Sequence, residues 1–246
     1  MAAMLLACAL SACDTPGRPP AVPAGPVPWT AAIGRLDVVS GSCTATLVEP
    51  DIILTAAHCL FPEGKKLSPD SLTFTPNFGG QRLPAARVAA VVAIGVDQMN
   101  PDDEDQTPRE NDWAILRLAE PITSIAPIPV QAMDLDEIER RQKAGETLST
   151  LGYGSYGIST SRHLNRVDGC SLVPEWRSLI GENGKLMVIT TCPLTPVIKG
   201  DSGGAIVITD QTEQRRLVAV ISGYWIRRTG PVSLAVSAAA FDEALK

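Results

Sequence analysis

The chain lacks a basic excess. Its 21 Lys and Arg stand against 27 Asp and Glu, a net charge of −6, so the electrostatic footprint that nucleic-acid binding demands is missing. It lacks C-x-x-C pairs, which excludes the common zinc and thioredoxin-like arrangements. Its one acidic stretch, residues 97–112, lacks the ligand spacing of an EF-hand loop and is interrupted by Pro101 and Pro108. That stretch reads as a solvated loop rather than a calcium site. Helix signals are sparse, and no segment repeats another. Histidine is scarce too: there are two in 246 residues. What the chain has is apolar material. Hydrophobic residues make up 45% and the mean hydropathy is +0.10, enough for a sizeable core and far from the composition of a disordered chain.

Met1 to Cys13 (M-A-A-M-L-L-A-C-A-L-S-A-C) is apolar and without charged side chains. It is too short to span a bilayer as a helix and reads as a targeting segment, although no basic residue precedes the apolar run. Its last four residues, Leu10-Ser11-Ala12-Cys13, resemble the lipobox of bacterial lipoprotein signal peptides. The resemblance implies a diacylated Cys13, whose two chains suffice for stable anchoring; an ordinary secretory signal with an incidental Cys is the alternative. Residues 14–28 follow as a tether, since Thr15–Pro28 holds six Pro and two Gly and cannot build helix or sheet ladders. The folded part is expected to begin at Trp29. Of the six cysteines, Cys43, Cys59, Cys170 and Cys192 lie beyond the targeting segment. An even number points to two disulfides and hence to an oxidising compartment.

From Trp29 onward short apolar runs alternate with turn signals. Ala45–Val48 and Ile52–Thr55 flank Glu49-Pro50-Asp51, a strand, a tight turn and a strand. Further strands are predicted at Arg87–Val96, Trp113–Leu118, Thr147–Leu151, Met187–Thr191, Ala205–Thr209, Leu217–Ser222 and Val232–Val236. Many short strands at even spacing predict an all-β barrel or sandwich. One surface helix is expected over Ala132–Ala144, and a C-terminal helix over Ser237–Lys246, where Ser237 supplies a cap.

Three segments carry chemistry. Leu54-Thr55-Ala56-Ala57-His58-Cys59 ends an apolar run in an imidazole. Asn111-Asp112-Trp113-Ala114-Ile115-Leu116 sets a carboxylate before another such run. Gly200-Asp201-Ser202-Gly203-Gly204 is a glycine-rich turn around a hydroxyl. Its glycines permit a sharp turn and close approach of a carbonyl, and the N–H groups of Gly200 and Ser202 are placed to face a developing oxyanion. Each segment alone has a plainer reading: a structural histidine, a turn aspartate, an ordinary β-turn. Together, in the order His, Asp, Ser, with 54 residues from His58 to Asp112 and 90 from Asp112 to Ser202, they resemble the trypsin/chymotrypsin family of serine proteases over roughly Trp29–Lys246. The order differs from that of subtilisins and α/β-hydrolases.

That resemblance implies two six-stranded antiparallel Greek-key β-barrels packed together, over residues 29–130 and 131–246, the second ending in the C-terminal helix. It implies a serine endopeptidase acting on proteins or peptides, with His58, Asp112 and Ser202 as triad and Gly200 and Ser202 as oxyanion hole. No cofactor or metal is implied, a monomer is expected, and the membrane enters only through the lipid anchor. The sparse disulfide pattern looks like that of bacterial members, in the cell envelope or secreted. Cys43–Cys59 matches a family disulfide, and Cys170 and Cys192 are left to pair with each other. Ser222 falls in the strand that pairs with substrate. Departures are informative. Ile198 replaces the usual Cys before the nucleophile, and Pro196 stands where Lys/Arg-specific members carry Asp. Tyr224 replaces a common Gly, so a shallow pocket for small or apolar side chains is expected. No I-V-G-G-like start is present, which suggests that Asp201 finds an internal donor. The rival readings are a binding module that has lost activity and an enzyme latent until a partner remodels its oxyanion hole.

Overall fold

A computed structural model of the chain describes residues 27–246 apart from 40, 82, 97, 99–109, 155–162, 177–185, 194–198 and 229. Twelve strands form two closed antiparallel barrels. The first comprises β1 (Ile33–Val38), β2 (Gly41–Glu49), β3 (Ile52–Thr55), β4 (Thr73–Pro76), β5 (Ala86–Ile94) and β6 (Ala114–Leu118). The second comprises β7 (Thr147–Gly152), β8 (Asn165–Leu172), β9 (Met187–Thr191), β10 (Ala205–Thr209), β11 (Arg215–Arg227) and β12 (Gly230–Ser237). Around the first the order is β1-β2-β3-β6-β5-β4, and the second repeats it as β7-β8-β9-β12-β11-β10. The jump from β3 to β6, and from β9 to β12, is the Greek-key step. The duplication exists in topology and leaves no trace as a sequence repeat.

The strand signals work through burial. In β2 every residue from Cys43 to Val48 is buried, and the Glu49-Pro50-Asp51 turn joins it to β3 while its carbonyls accept the N–H groups of Leu118 and Ile122. Leu36, Leu47, Ile53, Phe74 and Leu116 of the first barrel share one core cluster with Leu151, Met187, Val207 and Leu234 of the second. A second cluster lies under the single α-helix of the described residues, α1 (Leu135–Lys143), whose Ile138 packs with Leu148, Ile206, Ile208 and Val218. Strands β10 and β11 are thus covered on both faces, which is why they read as continuous apolar runs. α1 begins where a carboxylate caps it: Asp134 accepts the Glu137 N–H at 2.7 Å. It ends in Arg140, Arg141 and Lys143, the charge order its dipole favours.

Three strands are absent from the sequence-based expectation. β1 hides behind Gly34, where a side chain would collide with the Phe74 ring 2.4 Å away. β4 is four residues long, and β8 is polar and bulged, with Gly169 at φ +74° where the register to β7 shifts. The expected continuous helix at the C-terminus requires correction. Ser237 does cap it, accepting the Ala239 N–H, but the chain forms two 3-10 turns, Ala238–Ala240 and Asp242–Leu245. Between them Phe241, at φ −132°, is buried with its ring 5.7 Å from that of Trp113. Burying that ring outweighs the local helix propensity. No helix of the described residues is long and apolar enough to cross a membrane.

Candidate active site

The neighbours β3 and β6 are in register at Thr55 and Ala114. Three residues past the first, His58 sits on a 3-10 turn (Ala57–Leu60); two residues before the second stands Asp112. Register alone therefore brings imidazole and carboxylate to the same barrel end. The Asp112 carboxylate accepts the His58 backbone N–H on Oδ1 at 2.8 Å and the ring Nδ1–H on Oδ2 at 2.7 Å. Ser222 Oγ also donates to Oδ2. The Asp112 side chain is 4% exposed and the His58 side chain 37%, so the pair is buried at one end and open at the other. Burial pushes the Asp112 carboxyl up, but the His58 charge and the hydrogen bonds from His58 and Ser222 outweigh it and hold the group below its usual range. An ionised Asp112 can only accept, which fixes the Nδ1–H tautomer and makes Nε2 the basic nitrogen.

The disulfide Cys43–Cys59 ties the His58 turn to β2. The Gly200–Gly204 turn then docks against that same region. Thr44 N–H donates to Ser202 O at 2.8 Å, and Cys59 Sγ lies 3.9 Å from that oxygen. Thr44 Oγ1 donates to Gly200 O at 2.9 Å while accepting Tyr153 N–H at 2.8 Å. Gly203, at φ +80°, sits where a Cβ would come within 2.1 Å of Thr44 O and 2.2 Å of Thr55 Oγ1. Its N–H donates to Ile221 O at 2.7 Å, and Gly204 N–H closes the turn onto Asp201 O. Asp201 is buried, and its Oδ1 accepts Gly154 N–H at 2.6 Å; Asn165 Nδ2 secures Gly154 O at 2.7 Å. Among the described residues neither Gly200 N–H nor Ser202 N–H donates to a protein acceptor. Two N–H groups flanking a hydroxyl are what an oxyanion site requires.

The sequence-derived residues thus divide as follows. His58, Asp112 and Ser222 are hydrogen-bonded together, and Ser202 is held beside the His58 turn by its own carbonyl. Tyr224 projects from β11 at 41% exposure. Both expected disulfides, Cys43–Cys59 and Cys170–Cys192, are formed. Pro196, Cys13 and most of the acidic 97–112 stretch lie outside the described residues. Sequence reasoning missed Thr44, Gly154 and Asn165, which position the Gly200–Gly204 turn; a hydroxyl inside the apolar β2 run was the one available signal. Cys43, His58 and Cys59 form a cluster with metal-ligand spacing, but the two sulfurs are bonded to each other and Nδ1 is engaged by Asp112, so the donor set does not suit an ion.

Two six-stranded barrels with a histidine–aspartate pair on one and a G-D-S-G-G turn from the other define a protein of the serine-peptidase class. The family model described as Trypsin matches residues 19–241, and the chain belongs to that family of serine proteases. No curated protein matches it.

Proposed function

We propose that the chain is a serine endopeptidase that cleaves peptide bonds through an acyl-enzyme, with Ser202, His58 and Asp112 as its triad. The observation that supports this reading is the docking of the Ser202 turn onto Thr44 and against Cys59, the residue next to a His58 whose Nδ1–H is already committed to a buried carboxylate. Ser202 Oγ attacks the scissile carbonyl as His58 Nε2 takes its proton. Asp112 keeps the imidazole oriented and stabilises its cation, the Gly200 and Ser202 N–H groups receive the oxyanion, and His58 returns the proton to the leaving amine. Water, activated by the same imidazole, then releases the acyl group.

With Pro196 in place of an acidic residue, the primary pocket takes small or apolar side chains rather than Lys or Arg. The Gly154 N–H on Asp201 supports an enzyme whose nucleophile turn is set by an internal donor. The two disulfides suit an exported protein. We read residues 1–13 as a lipoprotein signal ending at an acylated Cys13, 14–28 as its tether, and 29–130 and 131–246 as the two barrel domains of a bacterial, monomeric envelope enzyme.

The deciding experiment treats the purified protein with a fluorophosphonate probe and a casein substrate. Labelling at Ser202 and proteolysis are expected, and both vanish in Ser202→Ala, with turnover down on the order of a million-fold. An intact protein that neither labels nor cleaves would leave a binding module on this fold.

A further inference from the structure

The disulfide beside His58 brings together more than two strands of chain. Cys43 comes from β2 and Cys59 from the turn Ala57–Leu60, and both are buried. Their sulfurs and a ring nitrogen of His58 all lie within 4.8 Å of one another. Among the described residues no other group of three histidine, cysteine or acidic side chains converges as a metal-sized cluster. The second disulfide, Cys170–Cys192, has the Thr150 hydroxyl beside it and belongs to no such group.

In the oxidised protein the two sulfurs are bonded to each other, and the cluster cannot take an ion. Reduction changes the donors. A dithiol reductant breaks the S–S bond, is itself oxidised to a disulfide, and leaves thiols at Cys43 and Cys59. A zinc ion then displaces the two thiol protons and is held by two thiolates. Two thiolates and one imidazole are a set that zinc accepts, with water as the fourth ligand. His58 is already prepared for the part. Asp112 accepts its Nδ1–H at 2.7 Å, and a carboxylate in that place is what orients a metal-bound imidazole and raises its basicity. Nε2 keeps the lone pair that an ion needs. Zinc–sulfur bonds of about 2.3 Å and zinc–nitrogen bonds of about 2.0 Å set tetrahedral ligands roughly 3.5–3.8 Å apart. The nitrogen therefore closes on the sulfurs by roughly 1 Å, while the sulfurs part by side-chain rotation.

We infer that reduction of Cys43–Cys59 opens a zinc site made of Cys43, Cys59 and His58, and that zinc bound there switches the enzyme off. The switch rests on the serine-endopeptidase reading; the metal site does not. A nitrogen that holds zinc cannot take the proton of Ser202. The reduced chain is therefore latent while zinc is present. Oxidation reverses the state: the two thiolates pass two electrons to a disulfide-bearing oxidant, the S–S bond forms, and the ion leaves with its ligands gone. The disulfide is then a covalent tie and an activating step in one, completed only where the surroundings allow sulfur bonds to form.

The test reduces the purified protein with a phosphine, removes the reductant without oxygen, and titrates cobalt(II) as a spectroscopic substitute for zinc. One equivalent is expected to bind with the visible bands of tetrahedral cobalt and a thiolate charge-transfer band, and zinc displaces it. Oxidised protein gives neither band. Both are lost in Cys43→Ser and persist in the paired Cys170→Ser/Cys192→Ser, while Asp112→Asn weakens binding about 10–100-fold. Zinc also raises the thermal midpoint of the reduced protein and not of the oxidised one, a readout that holds even where reduction loosens the fold. Fluorophosphonate labelling of the reduced protein falls at least tenfold with one equivalent of zinc and returns with a chelator. Bands that survive Cys43→Ser, or no bands and no thermal shift, overturn the site. Tetrahedral binding with undiminished labelling, or zinc acting equally on the oxidised protein, overturns the switch. Oxidised protein that never labels overturns the endopeptidase reading and the switch with it, while the cobalt titration still decides the site.

Discussion

The first barrel contributes His58 and Asp112 from the ends of two paired strands, whereas the second contributes Ser202 from a glycine turn and Ser222 from a break in strand register. The same topology thus serves two kinds of construction. On the first barrel the groups are held by a covalent tie at Cys43–Cys59 and a buried carboxylate with three incoming hydrogen bonds. On the second they are held by backbone donors, and the turn reaches its final shape only where Gly203 presses against Thr44 and Thr55. The His58–Asp112 pair is built locally, while the Ser202 turn is positioned by the neighbouring barrel. Changes on the first barrel should therefore act on proton transfer, and changes at the contact should act on both stability and turnover.

Asp112→Asn gives the largest expected effect. An amide at this place cannot accept from Nδ1–H and Ser222 in the way the carboxylate does, so the tautomer is lost; kcat falls by about 10⁴, as in this family's template mechanism. The same variant tests the pH dependence. Because the folded state holds Asp112 below its usual range, the group stabilises the fold at pH values above the ordinary carboxylate pKa. That contribution fades as pH falls through the lowered folded value. Denaturation midpoints followed from pH 7 downward should drop steeply in the parent and less steeply in Asp112→Asn. Equal slopes would show that the ion pair has no share in acid stability.

The disulfides come next. Paired Cys→Ser replacement at Cys43/Cys59, separated by 16 residues, and at Cys170/Cys192, separated by 22, should each cost about 3 kcal/mol on the chain-entropy scale. The comparison lies in turnover. Loss of Cys43–Cys59 frees the turn that carries His58 and lowers kcat, whereas loss of Cys170–Cys192, which joins β8 to the end of β9, lowers kcat less. Urea melts and active-site titration separate the two effects, and an equal drop in kcat would count against local construction of the base.

Smaller and sharper is a contrast within β2. Thr44 and Thr46 are both fully buried. Thr44 Oγ1 bridges Tyr153 N–H and Gly200 O, while Thr46 Oγ1 has no hydrogen-bond partner among the described residues. Thr44→Val strands a buried N–H and should cost about 1–3 kcal/mol together with a loss of kcat. Thr46→Val removes an unsatisfied hydroxyl and should be neutral or stabilising. Matching effects at the two sites would break the claim that the second barrel is positioned through Thr44.

That contrast also marks how far the sequence can be read. Strands β3, β9 and β10 lie on the predicted residues because their apolar runs are uninterrupted. His58, Asp112 and Ser202 stand out because their motifs are local and their order is distinctive. Strands β1, β4 and β8 were illegible because a glycine, a four-residue length and a polar bulge remove the pattern that periodicity detects. The roles of Thr44, Gly154 and Asn165 were illegible for a different reason. Each rests on hydrogen bonds across more than ten residues of sequence, set by barrel docking and not by local composition. The C-terminal turns failed in the opposite sense: local propensity favoured a helix, and one buried ring at Phe241 interrupted it.

The smallest expected effect concerns where Trp29 meets the second barrel. Trp29, just before β1, lies under two guanidinium groups, Arg166 at 5.0 Å and Arg215 at 4.8 Å, both from the second barrel. Next to Arg166 is Asn165, which holds Gly154 O, and Gly154 N–H holds Asp201 beside the nucleophile. Each exposed cation–π contact is worth about 0.5–1 kcal/mol, so Trp29→Ala should lower stability by roughly 1–2 kcal/mol. If the contact also steadies the start of β8, kcat falls several-fold with KM little changed, and Trp29→Phe, which keeps an aromatic face for both cations, recovers most of it. A stability loss with unaltered kcat would confine Trp29 to fastening the N-terminal segment, and the second barrel would then set its nucleophile turn through Thr44 and the glycine contacts alone.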